Sequence, residues 1–200
     1  MKYTIIIQIK QREENEKLGV VTNELIAKKE SDMPSLPLIF QNQVIGLVAK
    51  DKSRREKTVD EWKRDLEKPS VYWVRGVEPL RQEVISGNEF VVDRLKESNV
   101  KISNDDAEGL LTIVGIFKNR RISDFSIFEQ KKIQMIAAFA TEANVLIMED
   151  LYEGVTVGEK KELDRILVEF TVCKTILLSA SSESNIKEIC DRIINIDATC

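Results

Sequence analysis

Two hundred residues with 42% hydrophobic and 32% charged side chains are an ordinary soluble composition, enough for one domain or two small ones. A net charge of −4 argues against nucleic acid or an anionic membrane surface as the main partner, and no apolar run approaches the ~20 residues a membrane span needs. The complete lack of histidine removes Ser-His and Cys-His dyads and the commonest transition-metal ligand.

Tyr3 to Ile9 alternates weakly and reads as a strand, Gln11 to Lys17 as a charged loop, and Val20 to Ile26 as a second β-prone run. Lys28 to Pro37 is a connection. Leu36 to Phe40 and Gln43 to Ala49 flank a polar turn at Gln41-Asn42. The basic run Lys50 to Thr58 follows as a loop, then a helical stretch from Val59 to Glu67 and a buried-strand candidate at Val71 to Val74. Glu83 to Lys96 and Ala107 to Val114 read as helices, the second capped by the Asn104-Asp-Asp106 cluster. Ser126 with Glu129 makes a capping box, and Ile133, Ile136, Ala137 and Ala140 place one apolar face on the helix it opens. Thr141 to Asn144 breaks that pattern. Val145 to Met148 is a continuous apolar run, the mark of a strand buried on both faces, and Glu149 and Asp150 follow at its C-terminal end, where ligands bind in open α/β sheets. There is no internal repeat or low-complexity segment. Cys173, Cys190 and Cys200 have no metal-ligand spacing; the first two read as small buried residues and the third as a tail residue.

The stretch from Phe125 to Leu151 resembles the signature helix and Walker B strand of ABC-type ATPases. Phe125-Ser-Ile-Phe-Glu129 stands at the Leu-Ser-Gly-Gly-Gln position, and Glu149-Asp150-Leu151 at Asp-Glu-Pro. Glu162-Leu163, Thr175-Ile-Leu-Leu-Ser179 and Cys190-Asp-Arg-Ile-Ile194 continue the likeness, and Glu108 to Phe117 is similar to the helix-turn before the signature. The resemblance implies an α/β fold: an ABC-type P-loop NTPase-like core with an N-terminal antiparallel β subdomain and a small helical insertion. It implies a single domain over 1–200, with a β-rich part and core to about 75, a helical subdomain over about 76–135 and core again to 200.

The residues that carry the family's chemistry are altered. A phosphate loop, G-x-x-x-x-G-K-[ST], uses glycines to turn N–H groups inward, Lys for the β/γ oxygens and a hydroxyl for Mg²⁺. In the ungapped register Ala49, Lys52 and Arg54 replace its glycines, Arg55 its Lys and Glu56 its hydroxyl; shifting to Lys57-Thr58 puts Asp51 and Glu56 at glycine positions. No aromatic lies between Tyr3 and Phe40 to stack on adenine, and the nearest Gln after Val74, Gln82, lies too far along. Glu149 and Asp150 invert the family's order, moving each carboxylate by ~1.5 Å, when a ~1 Å misplacement costs ~100-fold in rate. They are expected to be solvated or to pair with the Lys50–Lys57 cluster. Ile127 and Phe128 put bulk where glycines let a partner's γ-phosphate approach, and are expected as an exposed or interface-facing pair. Ser181 stands at the switch-histidine position and is expected to cap a helix; Thr156 stands at the interface Asp.

The expectation is therefore a catalytically inert ABC ATPase-like protein acting by binding, an accessory or regulatory subunit of an ABC transporter, with no catalytic, cofactor-binding or metal residue assigned. The alternatives are a divergent but active ATP-hydrolysing subunit and an immunity or sensor protein on a permease. Weak ATP/Mg or anion binding would fall to Lys50, Lys52, Arg54 and Arg55. Expected partners are a membrane permease subunit or another ABC ATPase subunit, without nucleic acid and without a membrane span of its own. The expected location is the cytoplasm, or the periphery of the cell membrane's inner face.

Overall fold

The computed structural model describes residues 42–66, 71–76, 80, 84–117, 120–171 and 174–197. The strands expected before Gln41, and with them the antiparallel subdomain, lie outside these residues, as do Gln82, Cys173 and Cys200. The described elements are β1 (Val44–Val48), α1 (Lys52–Asp65), β2 (Val71–Val74), α2 (Gly87–Glu97), α3 (Asn104–Ile113), α4 (Ile127–Phe139), β3 (Val145–Glu149), α5 (Val157–Thr171), β4 (Thr175–Ala180) and β5 (Arg192–Asn195).

The five strands form one parallel sheet in the order β2-β3-β4-β1-β5. Strand pleating sends alternate side chains to opposite faces, and the core divides accordingly. Ile45, Leu47, Val145, Ile147 and Leu177 pack against Val59, Trp62 and Leu66 on the α1 face. Val44, Val48, Leu146, Met148, Ile176 and Leu178 pack against the other helices on the opposite face. With both faces covered, strand sequences become unbroken apolar runs, which is why Val145 to Met148 could be read directly.

Gly46 in β1 admits close approach of the segment before β5. A Cβ there would lie 2.5 Å from Ile186 Cδ1 and 3.0 Å from Cys190 Sγ. Cys190 is half-buried, and burial pushes its thiol up to about 12, with Asp191 and Asp164 acting in the same direction.

The caps are local and strong. Ser86/Glu89, Ser103/Asp106 and Ser126/Glu129 each form both halves of a capping box. The cap of α3 is thus Ser103, and the expected Asn104-Asp-Asp106 cluster forms its first turn instead. Helix α4 departs from the one-faced expectation: every residue from Gln130 to Phe139 is buried, because it runs beneath the sheet with α2, α3 and α5 around it. Phe139 stacks on Phe170 of α5 at 4.3 Å between ring centroids.

Candidate functional site

The C-terminal ends of β1, β3 and β4 meet at the crevice where an open α/β sheet binds ligands. The expected loop from Lys50 to Thr58 is helix instead from Lys52 onward. Only Ala49, Lys50 and Asp51 separate β1 from α1, and the Asp51 side chain caps the helix by accepting from Ser53 N–H at 2.9 Å. A helix N-terminus attracts anions because its first N–H groups are unpaired and its dipole is positive there. Here the chain's own groups occupy N–H groups of the helix start and of the connection before it: the Asp51 and Asp197 carboxylates and the Ala180 carbonyl. Ala49 N–H donates to Ala180 O at 3.3 Å, and Lys50 N–H donates to the Asp197 carboxylate at 2.8 Å. Asp197 also pairs with Arg54 at 3.5 Å.

Arg55, in the first turn of α1, does not face solvent. It is 4% exposed and turns back over the strand ends. Its Nη1 donates to Ala49 O at 2.6 Å and Lys50 O at 3.2 Å, while Nη2 donates to both oxygens of Asp150, at 2.9 and 3.0 Å. Asp150 sits just past β3 with φ of 47°, a left-handed conformation that Asp adopts more readily than most residues. Its N–H donates to Ser179 O at 3.1 Å, and its carbonyl accepts from Lys131 Nζ at 2.6 Å. Burial lowers the Lys131 amine to about 8, against the opposing pull of Glu153 and Asp150. Since β4 lies between β1 and β3, the Arg55–Asp150 pair bridges the strand ends across β4.

Glu149 behaves differently from its neighbour. It is half-buried, and desolvation, reinforced by Glu56, pushes its carboxyl up to about 7. The Trp73 indole and Arg75 favour the anion, yet neither Glu149 Oε1 nor Trp73 Nε1 finds a hydrogen-bond partner. A half-buried carboxyl near 7 has the proton affinity of a general base. Around it stand the Trp73 indole, the Glu56 and Asp150 carboxylates and the Arg75 guanidinium.

The acidic pair therefore splits: Asp150 pairs with the basic run, as expected, whereas Glu149 is half-buried, forms no ion pair among the described residues and leaves its buried Oε1 without a hydrogen bond. Ile127 and Phe128 are half-buried rather than exposed. Ile127 would meet a side chain at Gly154, and Lys132 Nζ lies 4.6 Å from the centroid of the Phe128 ring. Ser181 caps no helix among the described residues. The short 3₁₀ turn Glu183–Asn185 has Ser182 before it without a capping hydrogen bond, and Ser182 instead contacts Ser184 at 2.8 Å. Thr156 forms a capping box with Glu159 before α5. Among the described residues no group of His, Cys, Asp and Glu could hold a metal ion, and no helix is long and apolar enough to cross a membrane.

Sequence reading missed Lys131 and the inward turn of Arg55. One signal was present: Gln130-Lys-Lys132 inside a helix expected to be apolar on one face only. Polar side chains on a helix buried all round must find internal partners.

No protein-family model matches the sequence, and no curated protein does. Solved structures do. A Pyrococcus furiosus protein assigned as the ATP-binding protein of an ABC transporter matches with a TM-score of 0.65 at 12% identity, covering 86% of this chain and 94% of that one. An inward-facing ABC transporter of the metal-chelate type matches at 0.66 and 10% identity over 82% of this chain and 71% of that one. A nucleotide-free ATP-binding cassette from an ABC transporter matches at 0.62 and 12% identity over 86% and 85%. At such identities the likeness speaks for architecture. The chain is an α/β protein with a parallel sheet, built on the P-loop NTPase-like fold of the ATP-binding cassettes of ABC transporters.

Proposed function

We propose that this chain is a catalytically inert member of the ABC ATPase fold that acts by binding, as an accessory or regulatory subunit of an ABC transporter. The observation that carries the reading is the closed connection between β1 and α1. A phosphate loop of the form G-x-x-x-x-G-K-[ST] spans eight positions whose N–H groups point at phosphate. Here three residues make the connection, Ala49, Lys50 and Ser53 donate their N–H groups internally, and the Arg55–Asp150 pair lies across the strand ends. Partners consistent with the neighbours' fold are a permease subunit or a second ATPase subunit. The cytoplasm, or the inner face of the membrane alongside a permease, is the corresponding location.

The active-ATPase alternative is favoured by one feature, the Glu149 carboxyl at the end of β3, whose buried Oε1 has no hydrogen-bond partner and whose proton affinity burial raises. Thermal shift separates the two. A site of micromolar affinity at millimolar Mg-ATP raises Tm by roughly 8–16 °C in a chain of this length. The expected shift here is under about 2 °C, from loose attraction to exposed Lys50 and Lys52, and it should vanish in high salt. A large, salt-resistant shift specific to ATP, or ATP turnover abolished by Glu149→Gln, would overturn the inert reading.

A further inference from the structure

Two consecutive residues of α1 act on two consecutive residues at the end of β3, with opposite results. Arg55 meets Asp150, and the two form the bidentate pair across the strand ends at 2.9 and 3.0 Å. Glu56 acts on Glu149, so at the neighbouring position like charges are opposed. An attractive clasp and a repulsive contact share one junction, where the first turn of α1 closes over the sheet.

The surroundings of Glu149 do little to hold its charge. By strand alternation its side chain shares the α1 face with Val145 and Ile147, and Trp73, in register with Ile147, lies on the same face one strand over. Glu149 Oε1 and Trp73 Nε1 are both buried, one an acceptor and the other a donor, and neither has a hydrogen bond. Glu56 faces the carboxyl from α1, Asp150 from its own strand end, and the Trp73 indole and Arg75 from β2 and the residue after it. The Arg55 Nη groups are taken by Asp150 and by the Ala49 and Lys50 carbonyls. Arg75 is exposed, which leaves it screened by water, and it lies with Lys63 of α1 over the Trp73 ring, at 4.2 and 4.3 Å from the centroid. Lys131 of α4 also reaches this turn, but it donates to the Asp150 carbonyl. Burial and Glu56 therefore prevail, and the charge of Glu149 changes near neutrality.

We propose that Glu149 is a proton-operated wedge at the junction of α1 and β3. Neutral, it lets the first turn of α1 seat against the strand ends and the Arg55–Asp150 clasp close. Ionised, it repels Glu56 and draws water to its unpartnered oxygen, and the first turn of α1 opens away from the sheet. Arg55 belongs to that turn, so the same event uncovers the strand-end crevice. A protonation switch needs a local charge change and an element with two arrangements, and the clasp beside the like-charge contact supplies both. The inference rests on contacts between α1 and β3 alone, so it holds for an inert and for an ATP-hydrolysing chain alike, and nucleotide is left out of its test.

The test is amide hydrogen exchange read by NMR on the full chain, corrected for the intrinsic pH dependence of exchange. Between about pH 6 and about pH 8, protection of the amides of Arg55 to Val59 should fall at least ~5-fold, around a midpoint near 7, after discounting for the half-exposure of Glu149. Amides of Leu163 to Leu167 in α5 should hold constant, and the Trp73 indole N–H resonance should titrate with the same midpoint. Glu149→Gln should abolish both changes. Glu56→Gln should keep them but move the midpoint to lower pH, because the opposing charge is gone. Protection that does not change with pH overturns the proposal, as does an equal loss in Glu149→Gln. A loss shared equally by α5 also overturns it, since that means global rather than local opening. If Glu149→Gln does not fold, the Glu56→Gln midpoint decides alone, and an unmoved midpoint refutes the wedge.

Discussion

Replacing Asp150 with Asn removes one charge from the pair at the strand ends while changing little else. Asn tolerates the left-handed backbone that φ of 47° requires, so the substitution does not add the strain that Ala would. Arg55 then keeps its two carbonyl acceptors, Ala49 O and Lys50 O, but loses its counter-charge while only 4% exposed. Breaking a buried pair by removing one partner costs about 3–5 kcal/mol, and the retained carbonyl bonds and one amide acceptor place this case at or just below the lower end, about 2–3 kcal/mol. For a chain of this length that is a fall in Tm of roughly 4–12 °C. Arg55→Met should also destabilise, by leaving the carboxylate unpaired in a site largely closed to water. The double variant should regain much of the loss, because an uncharged pair has no desolvation penalty. Urea unfolding of all four proteins, followed by circular dichroism, closes the cycle. A coupling energy below about 0.5 kcal/mol would show that the pair is a surface decoration and refute the reasoning.

Glu149 yields a pH prediction with a definite sign. Its folded carboxyl is raised to about 7 from an ordinary value of 4.5, so its ionisation opposes folding, and stability declines as pH rises across that window. Glu149→Gln should leave Tm near the parent value at pH 4.5 and raise it at pH 8 by roughly 2–4 °C, after discounting for solvent screening of a half-exposed group. An unchanged difference between the two pH values would contradict this. Gly46→Ala should cost about 1–3 kcal/mol, since its methyl meets Ile186 and Cys190, and Ile186→Val in the same chain should recover part of the loss. Ser126→Ala should cost about 1 kcal/mol by opening the cap of α4, measured by urea unfolding.

What could be read from the sequence follows the range of the interactions. The capping box at Ser126 and Glu129 and the strand at Val145 to Met148 depend on neighbours along the chain, so both were visible. Helix α1 was expected to begin at Val59 because the Lys50–Thr58 run is charged. It begins at Lys52 because Asp51 caps it and Arg55 and Thr58 point inward, and Arg55's carboxylate partner is 95 positions away. No local pattern distinguishes an arginine that turns inward from one in solvent. For the same reason the pairing of Asp150 with the basic run could be expected, while Glu149's burial beside Trp73 and Glu56 could not.

The order of the strands also governs when the sheet can assemble. Inner strand β1 has β4 and β5 as neighbours, and the hydrogen-bonded residues Asn42 and Thr175 are 133 positions apart, Val44 and Asp191 147. At about 5–20 residues per second of synthesis, β1 waits roughly 7–30 s on the ribosome before either partner exists. For that interval the unbroken apolar run Val44–Val48 is available to any other strand. Folding of this chain is thus committed late, and its yield in a cell should depend on what shields that run during translation.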